Sequence, residues 1–144
     1  MRRVLAAALA AALLGGCVPA SPDVDTYDDK ARLTLGAAVS DVRTVQKLLE
    51  TLYDDRMLRQ TAIAQMRYSE KSLGTATSAF IELNPPPQRD RLTKRMSTLL
   101  GDAEDLLDEA RTAIERYDRA RYPALADDLD TIAKDLEELE GRVS

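Results

Sequence analysis

Residues 123–143 read PALADDLDTIAKDLEELEGRV. Leu125, Leu129, Ile132, Leu136, Leu139 and Val143 recur at alternating steps of four and three, which puts six apolar side chains on one stripe of a helix. The acids between them fall on the opposite side. Pro123 suits the first turn, where its missing N–H would have had no partner. Asp130/Lys134 and Glu138/Arg142 are spaced i,i+4 with the acid first, the favourable orientation. A stripe of this kind must be buried against other helices, so the rest of the chain is expected to supply them.

Three more helices are expected upstream. Residues 89–119 carry the rhythm on Leu92, Met96, Leu99, Ala103, Leu106, Ala110, Ile114 and Tyr117, with Glu115/Arg119 as a further i,i+4 pair. Residues 55–83 carry it on Leu58, Ala62, Met66, Ser69, Leu73, Ala76, Phe80 and Leu83. Residues 25–53 carry it on Ala31, Leu35, Ala38, Val42, Val45, Leu49 and Leu52. Asn84-Pro85-Pro86-Pro87 ends the second of these, because consecutive prolines cannot continue the hydrogen-bond ladder. The break near residue 54 has neither Gly nor Pro. It is expected because the register of Leu52 would otherwise bury Arg56 and Arg59, with Asp54 serving as N-cap of the following helix. Leu48-Leu49, Leu99-Leu100 and Leu106-Leu107 widen the stripes, so each of those helices should touch two neighbours. The expected fold is all-α, an antiparallel bundle of about four helices. An elongated hairpin of two kinked helices is the alternative, since neither the first nor the last junction has a Gly-rich loop. Tyr53, Tyr68, Tyr117 and Tyr122 are expected at the edge of the core with wet hydroxyls.

The chain begins MRRVLAAALAAALLGGCVPASPD. Arg2 and Arg3 precede an apolar run over residues 4–14 that would rise about 16 Å as a helix, half of the roughly 30 Å needed to cross a membrane. That length suits the apolar region of a signal peptide. Leu14, Gly15, Gly16 and Cys17 then resemble the lipobox of bacterial lipoproteins, an aliphatic residue and two small ones before a cysteine. The resemblance implies that Leu14, Gly15 and Gly16 are read by the signal peptidase and that Cys17 is acylated through its thiol. Residues 1–16 would be cleaved, and 17–24 would form the lipidated cysteine and a short tether reaching at most about 25 Å. Residues 25–144 would form the single helical domain. It also implies an exported protein, lipid-anchored to the extracytoplasmic face of the bacterial membrane. Val18 lacks the acidic side chain that signals inner-membrane retention in double-membraned hosts. In its excess of Ala, Arg, Asp and Leu, the mature part resembles the small helical lipoproteins of actinobacteria.

Composition narrows the chemistry. Cys17 is the only cysteine and histidine is absent, so no disulfide, imidazole base or His/Cys metal site can be built once Cys17 is acylated. No Gly-rich phosphate loop occurs. Carboxylates remain, with Asp102, Glu104, Asp105, Asp108 and Glu109 in one cluster and Asp127, Asp128 and Asp130 in another. The second group is the candidate for a divalent cation. Both groups alternate with apolar residues on helices, a spacing that suits a solvated face better than a wrapped oxygen cage, so no metal or cofactor is expected. The net charge of −5, or −7 without Arg2 and Arg3, disfavours nucleic acid as a partner. Residues 54–100 hold eight basic and five acidic side chains, residues 101–144 six and fourteen, an asymmetry expected to help pair the two blocks. The expectation is a non-enzymatic envelope lipoprotein with a helical interaction or structural domain. Its partner would be another envelope protein or a second copy; a ligand- or cation-binding module is the alternative.

Overall fold

A computed structural model describes residues 22–143, and within them four α-helices and no strand. The helices are α1 (Val24–Tyr53), α2 (Arg59–Ile81), α3 (Asp90–Arg116) and α4 (Tyr122–Glu140). Short 3-10 turns at Pro87–Arg89 and Arg119–Arg121 lead into α3 and α4. Sequential helices pack side by side and α1 closes the ring on α4, its most extensive contact. This is an antiparallel four-helix bundle, not the elongated hairpin. Leu48, Leu49, Leu99 and Leu100 are all buried, consistent with helices that touch two neighbours, whereas Leu107 is buried and Leu106 only partly so.

Local chemistry explains the ends. Asp23 caps α1 by accepting from the Thr26 N–H at 2.8 Å and the Thr26 hydroxyl at 3.0 Å; these bonds hold its carboxyl below the usual range. The α1–α2 junction differs from the sequence expectation. Asp54 does not cap α2; it ends α1, and Asp55 follows in the left-handed region at φ 55°. The Arg56 N–H returns to the Thr51 carbonyl at 3.0 Å and the Asp55 N–H to Leu52 at 3.2 Å, the double closure of a Schellman turn. α2 therefore starts at Arg59 rather than at residue 55, and Leu58, expected in the core, is 77% exposed. α3 ends the same way. Tyr117 is left-handed at φ 58°, and the Asp118 N–H reaches the Ala113 carbonyl at 2.9 Å. The helix thus stops at Arg116, short of residue 119, and Tyr117 leaves the core.

Arg119 joins the two turns. Its guanidinium donates to Asp55 Oδ1 at 2.5 Å and Oδ2 at 2.9 Å and to the Tyr53 carbonyl at 2.7 Å. This pairing pulls the Asp55 carboxyl down and pushes the Arg119 guanidinium up. The Arg119 and Arg59 guanidiniums each lie over the Tyr117 ring, 5.9 Å from its centroid, and Arg59 also donates to the Glu115 carbonyl at 3.0 Å. Arg119 is therefore spent on Asp55 and not on Glu115, which accepts from Arg111 at 3.2 Å.

The opposite end gathers the start of α1, the end of α2 and the entry to α3. Tyr27 is completely buried there, its ring 5.5 Å from Phe80 and its hydroxyl 2.7 Å from Thr93 Oγ1. Next to it Asp28, 2% exposed, receives a forked pair of bonds from Arg89, with Nε at 2.7 Å from Oδ1. The charge asymmetry acts elsewhere than expected. Arg43 of α1 pairs with Asp130 and Glu137 of α4, and Arg111 of α3 with Glu70 of α2 at 2.9 Å. Among the ion pairs between described residues of the two sequence blocks, Arg95–Asp135, at 4.0 Å, follows the expected sign, whereas Arg111–Glu70 and Arg119–Asp55 reverse it.

Removing one member of a buried ion pair strands the other in low dielectric. Arg89→Met should lower the urea midpoint of unfolding, and Asp28→Asn added to it should restore part of the loss. A double variant no more stable than Arg89→Met would contradict the role given to this pair.

Candidate interaction face

α1 and α2 each contain a long stretch without charge, residues 33–40 (LTLGAAVS) and 72–81 (SLGTATSAFI), in a chain that is 31% charged. The antiparallel packing sets them side by side. Two open grooves meet at Ala79. The one of about 440 Å³ lies on α2 alone, lined by Tyr68, Lys71, Ser72, Thr75 and Ala76; only the other, of about 160 Å³, spans the two helices, lined by Lys30, Leu33, Thr34, Phe80 and Leu83. Leu33 is 75% exposed and Tyr68 68% exposed, so the grooves are flanked by large apolar surface in water. Tyr68, Lys71, Thr75, Ala79 and Glu82 follow each other at helical steps of three and four and share the outward face of α2.

Beneath this face the packing of α2 is polar. Asp41 of α1 and Ser69 and Thr77 of α2 are buried, and Asp41 Oδ2, Ser69 Oγ and Thr77 Oγ1 make no hydrogen bond among the described residues. Burial pushes the Asp41 carboxyl above its ordinary range, with the Ser72 and Ser69 hydroxyls opposing the shift. α2 also has no side-chain cap, no acid in its first turn and no base in its last. It is held mainly by Ala62, Met66, Leu73 and Phe80.

The residues singled out from sequence fall differently. Leu14, Gly15, Gly16 and Cys17 lie outside the described residues. Asp127 and Asp128 are exposed on α4, while Asp130 is tied to Arg43 and to Lys134 at 2.6 Å, bonds that hold its carboxyl down. The three do not converge, and no group of three or more His, Cys, Asp or Glu side chains among the described residues could hold a metal ion. In the other acidic cluster Glu109 pairs with Arg121 at 2.8 Å and Asp108 with Arg111. Of the four tyrosines expected at the core edge, Tyr53, Tyr68 and Tyr117 are more than half exposed. Tyr122 is 1% exposed, and its hydroxyl has no partner among the described residues. Apolar periodicity does not mark the α1–α2 face; the spacing of charges marks the two runs, and the antiparallel packing brings them together. No described helix is long and apolar enough to cross a membrane. No family model, curated protein or solved structure matches the chain.

The raised Asp41 pKa has a definite sign. Protonation favours the fold, so this group's contribution falls as pH rises from about 3.8 through the higher folded value. The lowered carboxyls of Asp23, Asp55 and Asp130 act oppositely, their contributions fading as pH falls. Asp41→Asn should therefore raise the thermal midpoint at pH 7, and its advantage should shrink toward pH 4. An advantage that is constant with pH would show that ionisation of Asp41 is not the cause.

Proposed function

We propose that this chain is a lipid-anchored envelope protein whose helical bundle is a non-catalytic interaction module. The observation that carries the reading is the uncharged α1–α2 face, where Leu33 and Tyr68 stay in water although the bundle has a complete core elsewhere. A surface that only had to be soluble would carry charge there, as the outer faces of α3 and α4 do. The grooves are open and not enclosed, a shape that suits a packed protein surface better than a buried small ligand.

The LLGGC sequence supplies the other half of the reading. Acylation of Cys17 confines the bundle to the extracytoplasmic face of the membrane, and more than one acyl chain makes the attachment stable. Only residues 18–23 separate Cys17 from the first turn of α1, so the module works close to the membrane surface. Confinement of both partners to one surface raises their effective concentration and lets a modest contact area suffice.

Cys17→Ser tests the anchor. The wild-type chain should fractionate with membranes and incorporate labelled palmitate, while the variant should do neither and keep its uncleaved leader. A variant that fractionates and labels like the wild type would refute the lipoprotein reading.

A further inference from the structure

The charges at the two ends of the α2 face say what it fits. Lys71 precedes the uncharged stretch 72–81 and Glu82 follows it, about 16 Å apart along the helix and on nearly the same side. Neither has an ion-pair partner among the described residues. Between them the outward positions carry Thr75, Ser78 and Ala79, with Ile81, 60% exposed, on the flank, so another helix could approach the centre closely and cover Ile81 at the edge.

We propose that this face is a twofold contact with a second copy of the chain, the two α2 helices antiparallel and Lys71 of each copy paired with the partner's Glu82. The proposal rests on the interaction-module reading and names its partner. Its geometry follows from the charges. Pairing about the midpoint of 71 and 82 sets Thr75 against the partner's Ser78 and Tyr68 against the partner's Pro85 turn. Parallel pairing would instead oppose Lys71 to Lys71 and Glu82 to Glu82. The net charge of −5 makes most faces of two copies repel, whereas here the contact is neutral at its centre and complementary at both ends. An antiparallel pair carries its two α1 N-termini at opposite ends, so both anchors reach one membrane with the bundles lying along it.

The test is sedimentation equilibrium of the full acylated chain in a non-ionic detergent. The wild type should self-associate as a dimer. Lys71→Glu and Glu82→Lys should each weaken it by about tenfold, since the twofold axis applies each change twice. The double variant Lys71→Glu/Glu82→Lys should return to within about twofold of wild type, because the exchanged charges again meet. Circular dichroism should show the same helicity in all three variants, as both substitutions are on the surface. A wild-type chain that stays monomeric, a dimer indifferent to both single reversals, or a double variant no better than the singles would each overturn the proposal. Sedimentation reads association alone, so a failure here is distinct from a failure of the Cys17→Ser fractionation.

Discussion

Arg119 holds the bundle's topology in place. The chain turns back after α1 and after α3 without a glycine, using Asp55 and Tyr117 in left-handed backbone that costs an ordinary residue on the order of 1 kcal/mol. What makes those conformations persist is that each is engaged by the same guanidinium. Asp55 accepts a forked bond from Arg119, and the Tyr117 ring lies under the Arg119 and Arg59 guanidiniums. Because the two turns lie together at one end, closing one supports closing the other. Four helices packed as a ring result, where continuous backbone would have given two long ones.

The other end is organised by burial. Tyr27, Phe80 and Thr93 bring α1, α2 and α3 together, and the Asp28–Arg89 pair ties the first turns of α1 to the approach to α3. A buried ion pair of this kind contributes orientation more than net stability, since desolvation offsets much of the attraction. Between the ends, α1 and α4 share the densest contact, with Gly36 letting the Glu140 carboxylate come within 3.1 Å of where a Cβ would stand. α2 differs in burying the polar Ser69 and Thr77 beside its apolar residues, with an ionisable group beneath it and a charge-free stretch over residues 72–81.

Much of this was legible. The stripes on α3 and α4 predicted Met96, Leu99, Ala103, Leu125, Leu129 and Leu136 as core, and all are buried. The proline stop at 84–87 separates α2 from α3 as read. The misses cluster where a local rule was applied without its tertiary competitor. Asp54 looked like an N-cap, but the left-handed turn at Asp55 was stabilised from 64 residues away by Arg119. Leu58 and Tyr117 fit the helical rhythm on paper, yet both lie in or beside turns that end that rhythm. Tyr27 stands one helical step before Ala31 and could have been read as core from that spacing. The charge-free runs at 33–40 and 72–81 were equally visible, but only their adjacency turns them into a face.

The sequence by itself determined the all-α class, the four helices and most of the buried stripe, because periodicity is a local property and burial of a stripe follows from it. It also carries LLGGC and the absence of histidine, which restrict the chemistry open to the chain whatever its shape. Tertiary structure alone decided how the junctions close, which charges pair and which surface stays uncharged. Those depend on side chains 41 to 94 positions apart meeting at angstrom distances, as Arg111 meets Glu70 and Arg43 meets Glu137, and no pattern along the chain encodes such distances.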